Sequence, residues 1–262
     1  MMVFILVFSV CFFASTVGAI CGIGGGVIIK PVLDALGIMN VSIISFLSSC
    51  TVLSMTTYSV IRSKLGGTSR IDLNTGSPLA AGAAIGGILG KTLFESIRNL
   101  SANPDRVGMI QAICLFIVTM GTLVYTVFKR QIKTHKVTSK VFCIGIGLVL
   151  GVMSSFLGIG GGPINLVVLF FFFSMDTKTA AENSLYIILF SQVASLLFSI
   201  ATGSVPDFSI GMLGLMVCGG ICGGICGRGF NKKLESDMVD RLFIGLMVLM
   251  LLINLYNICK FL

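Results

Sequence analysis

The stretch Gly22-Ile23-Gly24-Gly25-Gly26 recurs letter for letter as Gly158-Ile159-Gly160-Gly161-Gly162. Both copies lie inside long apolar stretches that carry no charge. Glycine in a helix interior costs about 1 kcal/mol relative to alanine, so four glycines within five residues predict a break in a helix. Two such breaks predict an internally duplicated chain, and the place where they meet is the first place to look for function.

The composition is that of an integral membrane protein. Of the 262 residues, 55% are hydrophobic and 11% are charged, and the mean hydropathy is +1.04. Soluble domains carry about 25% charged residues. Eight uncharged runs are long enough to cross a hydrocarbon core of ~30 Å; they cover 1–29, 41–61, 73–90, 107–128, 141–175, 183–206, 208–227 and 242–259. We therefore predict an all-α, multi-pass protein whose surroundings are a lipid bilayer.

A second pair of motifs supports the duplication. The glycines from Gly82 to Gly90, followed by Lys91, match those from Gly219 to Gly227, followed by Arg228. The glycine breaks align at an offset of 136 residues and these motifs at 137, so they stay in register. We predict one membrane repeat over 1–128, a second over 141–262, and a basic linker over 129–140.

The Lys and Arg residues distinguish two topologies. If each broken run crosses twice, a repeat has four spans, the duplication is parallel, and the basic residues divide nine to nine. If each broken run is a hairpin that returns to its side of entry, each repeat has the hairpin plus about three full spans, and the repeats are inverted. The division is then thirteen to five, the larger set being Arg62, Lys64, Arg70, the five basic residues of 129–140, Lys178, Arg228, Lys232, Lys233 and Arg241. Because cytoplasmic loops are enriched in basic residues, we favour inverted repeats with the N-terminus outside and the linker in the cytoplasm.

The glycine breaks are the candidate binding site. Pro163 suits the first turn of a new helix, and free backbone N–H groups at a helix start form an anion site. The predicted substrate-binding glycines are Gly22, Gly24, Gly25, Gly26, Gly158, Gly160, Gly161 and Gly162. The alternative is that these glycines only allow helices to pack closely. The glycines of 82–90 and 219–227 have the small-x-x-x-small spacing, so we assign those to helix contacts.

Polar residues near the breaks extend the candidate site. Ser48 and Ser184 rank first because they occupy matching positions, and Asn165 follows the second break. Lys30 is close enough to the first break to attract an anion, or else it snorkels to the membrane surface. Glu182 is expected to pair with Lys178 at the interface. The sequence gives no sign of a metal site, a cofactor, a nucleic-acid partner or a catalytic nucleophile with its base.

At these residues the chain resembles the sulfite exporter TauE/SafE family, also called the 4-toluene sulfonate uptake permease family. The resemblance lies in the break and following proline of Gly22–Pro31, its repeat at Gly158–Gly162, the small and hydroxyl residues that follow each break, and the glycine-rich helices ending in Lys91 and Arg228. It implies a transporter of small sulfur-containing anions, such as sulfite or organosulfonates, in the cell membrane of a prokaryote. One departure is that Pro163 directly follows the second break, where the first copy has its proline later.

Other classes stay open at this stage. The substrate is otherwise a carboxylate or another small anion, or the protein is an anion channel or a membrane sensor. Channels also use glycine breaks, usually in symmetric oligomers, and a homo-oligomer remains compatible with the sequence. An enzyme is not expected.

Overall fold

The protein is described from a computed structural model that covers residues 2–67, 69–100, 104–129, 131–159 and 161–261. Over these ranges the chain forms ten helices and no strand. The helices are α1 Met2–Cys21, α2 Gly26–Leu36, α3 Val41–Leu65, α4 Leu73–Leu100, α5 Pro104–Phe128, α6 Lys140–Leu157, α7 Pro163–Phe173, α8 Thr177–Ala201, α9 Ile210–Lys233 and α10 Ser236–Phe261. Each half of the chain thus has one long helix, then a helix of 11 residues, then three more long helices.

The glycine motifs break the helices as predicted. Gly22 and Gly24 have φ of +76° and +72°, and Gly158 has φ of +64°. Non-glycine residues avoid this left-handed region, where they cost roughly 1–2 kcal/mol. After each break comes a helix of 11 residues, α2 or α7, about 16 Å long and therefore too short to cross a bilayer. Pro163 stands at the start of α7, where its missing N–H costs nothing.

The eight remaining helices are each long and apolar enough to cross a membrane. They include α1 and α6, which lead into the breaks, and three more helices in each half. The all-α membrane fold with a broken hairpin and three spans in each half is therefore confirmed for the described residues.

The glycine-rich faces of α4 and α9 are helix contacts, as the sequence predicts. A Cβ on Gly82 would overlap the carbonyl of Ile144, and one on Gly86 would overlap the carbonyl of Leu148. The contact partner advances along α6 as the glycine advances along α4, so the two helices run in parallel. The face of α9 meets α1 in the same way, with Gly223 against Phe12, and Gly227 against Thr16.

Further contacts fix the remaining directions. Gly220 and Gly224 of α9 meet Thr51 and Met55 of α3, so α3 runs with α9 and α1. In α4, Gly76 meets Asn183 and Gly87 meets Ser191, so α8 runs with α4 and α6.

The helices α1, α3 and α9 run in one direction, and α4, α6 and α8 run in the opposite direction. The end of α3 meets the start of α8, where Ser63 donates a hydrogen bond to Glu182, and the start of α3 meets the end of α8, where Ser45 and Ser199 line one pocket. Corresponding helices α1 and α6, α3 and α8, and α4 and α9 are therefore antiparallel. We infer that the halves are inverted copies.

The bundle has two distinguishable ends. At the linker end, Ser174 at the end of α7 bonds Thr134 of the linker, and Lys129 bonds Asp240 at the start of α10. At the other end, which we call the terminal end, Lys260 near the end of α10 donates to the carbonyl of Asp34 in α2. Because α1 and α3 run in parallel, both start at the terminal end, and the α1–α2 hairpin returns to the end where it began.

Candidate functional site

The two glycine breaks lie at the middle of the bundle. Gly26, the first residue of α2, faces Val52, which is halfway along α3. Gly161 faces Ile188, which is halfway along α8. Val52 and Ile188 are themselves 136 residues apart, so the two loops are placed alike in the two halves.

The loops contact each other directly. A Cβ on Gly26 would overlap the carbonyl of Ile159, and one on Gly162 would lie 3.1 Å from the Ile159 side chain and 3.8 Å from that of Val27. From this contact α2 runs to the terminal end and α7 runs to the linker end. The N-terminal ends of two short helices therefore meet in the interior of the protein.

These helix starts present unpaired donors. Among the described residues, no hydrogen-bond acceptor is recorded for the backbone N–H groups of Gly24, Gly25, Gly26, Gly161 and Gly162. The N-terminus of a helix also carries about half a positive charge from the aligned peptide dipoles. Helix N-termini with free N–H groups are the usual setting of anion sites in proteins. The predicted site residue Gly160 lies outside the described residues.

The outer residue of each loop rests on the neighbouring half. Gly22 lies against the backbone of Ala181, and Gly158 lies against Ser45. Ala181 and Ser45 are corresponding positions of α8 and α3. The two contacts therefore join corresponding positions of the two halves. They are possible only because Gly22 and Gly158 have no side chain.

Ser48 of α3 and Ser184 of α8 each lie between two positions at which their helix contacts a glycine loop. On α3, Ser48 is one turn from Ser45, which meets Gly158, and one turn from Val52, which meets Gly26. Residues three and four apart lie on one face of a helix, so Ser48 faces the loops. Ser184 has the same relation to the contacts of Gly22 and Gly161 on α8.

Several polar atoms near the loops are buried without a partner. The hydroxyls of Ser48 and Ser184 are fully buried and have no hydrogen-bond partner within the described part of the chain. The same is true of Oδ1 of Asn165, whose amide nitrogen lies near Gly161. Ser15, whose hydroxyl approaches Gly25, is a further case that the sequence did not single out. Unpaired polar groups are costly in an apolar interior, which favours a polar ligand here over packing alone.

Two cavities flank the loops. The linker-end cavity has a volume of 190 Å³ and is lined by residues that include Ala19, Ser59, Ala181 and Arg228. The terminal-end pocket has 10 Å³ and is lined at the corresponding positions by Ser155, Ser195, Ser45 and Lys91, with Gly158 beside them. The same framework is therefore open at one end and closed at the other.

The linker-end cavity is electropositive. Four basic side chains line it, against the single carboxylate of Glu182; they are Arg70, Lys178, Arg228 and Lys232. The predicted pairing of Glu182 with Lys178 is wrong, because the carboxylate instead accepts hydrogen bonds from Ser63 at 2.7 Å and from the backbone N–H of Arg70 at 2.9 Å. These bonds fasten the α3–α4 loop to α8 at the edge of the cavity.

Asp176 caps α8 beside this cavity. Burial raises the pKa of its carboxyl, but hydrogen bonds from Thr179 and the nearby charge of Arg70 outweigh burial, so the pKa is lowered overall. The carboxylate thus stays ionised and holds Arg70, whose guanidinium nitrogen lies 3.6 Å away.

Both readings of Lys30 are wrong. It does not snorkel to the surface, and its buried ammonium donates to the Asp34 carboxylate at 2.9 Å instead of being left to attract a substrate anion. Lys91 and Arg228 line the two cavities at corresponding positions, although the sequence analysis noted them only as the residues that end the glycine motifs. Their identical place at the end of each glycine motif was the available signal.

These features place the protein in the class of helical membrane proteins that have two re-entrant half-helices, which here meet at the middle of the bundle. The family model for "Sulfite exporter TauE/SafE" matches residues 7–253. The chain belongs to this family, and the resemblance read from the sequence is confirmed. Among curated proteins and among solved structures, no match was found. The family is one of membrane transporters.

Proposed function

We propose that this chain is a secondary transporter of small sulfur-containing anions, such as sulfite or organosulfonates, in a prokaryotic cell membrane. The anion is bound between the N-terminal ends of α2 and α7. Membership of the family supports transport of a sulfur anion. The gradients across the membrane set whether the flux is export or uptake.

One observation carries the proposed site: two helix N-termini meet in the middle of the bundle, with unpaired N–H groups and unpartnered hydroxyls around them. Inverted-repeat transporters bind anions at half-helix N-termini near the midplane. An oxyanion with several acceptor oxygens would satisfy donors from both loops at once.

The test uses Ser48→Ala and Ser184→Ala in proteoliposomes, with initial rates of radiolabelled sulfite uptake. Neither hydroxyl has a hydrogen-bond partner among the residues that the structure describes, so its removal breaks no hydrogen bond within that part of the protein. A hydrogen bond to a charged group contributes about 1.5–3 kcal/mol, so KM should rise roughly tenfold or more while Tm stays unchanged.

The matched control is Ser54→Ala. Its hydroxyl donates to the Cys50 carbonyl of its own helix at 2.8 Å, and its loss should leave KM unchanged. Saturable sulfite flux with native KM in both test variants would refute the site but not the function. Absence of sulfite and sulfonate flux in the folded native protein would refute the function, and currents that do not saturate would indicate a channel.

A further inference from the structure

Lys91 lies in a pocket at the terminal end of the bundle, and its charge is only weakly paired, with Glu95. Its side chain is 11% exposed, and the carboxylate of Glu95, one turn along α4, is 3.9 Å from Nζ. That distance exceeds a hydrogen bond. The other face of the ammonium lies 5.2 Å from the ring centre of Phe94. An ammonium buried in a membrane protein and weakly paired is by default a functional candidate.

Hydroxyl groups line the same pocket as this ammonium. Ser45 and Ser155 are 4% and 6% exposed, and among the described residues neither their hydroxyls nor Oε1 of Gln111 has a hydrogen-bond partner. Ser49, Ser195 and Ser199 also line the pocket. One cation among several hydroxyl donors is suited to a small oxyanion, because the charge and the hydrogen bonds would be satisfied together.

We infer that the Lys91 pocket is a second binding site for a small oxyanion, the counterpart of the linker-end cavity at Arg228, held closed in this structure. The inference rests on the proposed function in taking the substrate to be an anion. It adds a site at the terminal end of the path, where Gly158 forms part of the lining, beyond the meeting point of the two helix N-termini.

Comparison with the linker-end cavity indicates what keeps the Lys91 pocket closed. The Lys91 pocket has a volume of 10 Å³, which is about that needed for one water molecule, whereas the linker-end cavity has 190 Å³. Phe46 and Phe94 line the closed pocket at the positions that correspond to Glu182 and Asn231 in the open cavity. The pocket admits an anion when these two rings move aside.

The experiment compares Lys91→Met, Lys91→Arg and Glu95→Gln in the full-length protein in proteoliposomes. The probes are labelled sulfite and labelled acetate, and each variant is measured for KM and for Tm. Loss of a charge-assisted contact should raise KM roughly tenfold in Lys91→Met, and Lys91→Arg should keep most of the affinity. Glu95→Gln should lower KM or leave it unchanged, because it removes the competing carboxylate. Lys133→Met, at an exposed position of the linker at the other end, is the control that should leave KM and Tm unchanged.

A structural ion pair predicts a different pattern, in which Lys91→Met and Glu95→Gln lower Tm alike and neither changes KM. That pattern would overturn the inference, as would a native KM in Lys91→Met. If acetate moves but sulfite does not, the sulfur-anion function fails, and the same comparison with acetate still decides the Lys91 site. A native protein that neither moves nor binds either anion in equilibrium dialysis overturns both proposals.

Discussion

Gly22 lies so close to Ala181 that a Cβ on the glycine would overlap the backbone of α8. The two residues belong to different halves of the chain, and the inverted counterpart of the contact joins Gly158 to Ser45. The glycine motifs therefore do more than break helices, because they also allow each hairpin to pack closely against the opposite half.

Gly22→Ala should destabilise the protein more than Gly67→Ala. Both glycines have positive φ, of +76° and +62°, so both variants incur roughly 1–2 kcal/mol of backbone strain. Only Gly22 meets other atoms, which adds about 1–3 kcal/mol for overpacking, whereas nothing lies within 4 Å of the Cβ position of Gly67. The measurement is Tm in detergent; equal losses in the two variants would show that the Ala181 contact is unimportant.

Gly86→Ala should separate α4 from α6, since its methyl would overlap the Leu148 carbonyl. We expect a loss of about 1–3 kcal/mol and a lower Tm. Gly214→Ala is the matched control in α9, where nothing lies within 4 Å of the new methyl. There the better helix propensity of alanine should stabilise by up to about 1 kcal/mol. A Tm at or above the native value in Gly86→Ala would contradict the packing described.

Cysteines at the corresponding positions Ser59 and Ser195 should differ in reactivity, because the former lines the open cavity and the latter the closed pocket. In a version without the native cysteines, an impermeant thiol reagent applied at the linker end should modify Ser59→Cys. Ser195→Cys should resist the reagent from either end until the terminal-end pocket opens. Rapid labelling of Ser195→Cys without substrate would contradict the closed state.

The linker end should face the cytoplasm, as the charge distribution predicts. Arg70→Cys and Lys136→Cys should both resist an impermeant reagent in intact cells and react in inside-out vesicles. Asp207→Cys, in the exposed α8–α9 connection at the terminal end, should show the reverse. Labelling of Lys136→Cys in intact cells would reverse the orientation while leaving the fold intact.

Much of the fold was predictable because its signals are local. The glycine clusters mark breaks wherever they occur in a helix, and apolar runs of span length mark membrane helices. The contact faces of Gly82–Gly90 and Gly219–Gly227 followed from their spacing alone. The pairing of Lys30 with Asp34 was missed because spacing of four permits a contact without showing that both side chains turn inward.

A helical membrane protein with two broken helices is predictable from the amino acids alone, because glycine content and hydropathy act on each segment independently of its neighbours. The meeting of α2 and α7 at their N-termini, and the position of Ser48 and Ser184 facing them with no partner among the described residues, follow from helix packing and are visible only in the folded protein. The same holds for the difference between Arg228 and Lys91, one in an open cavity and the other in a closed pocket. Equivalent sequence positions acquire unequal surroundings because burial depends on helices brought together from opposite halves of the chain.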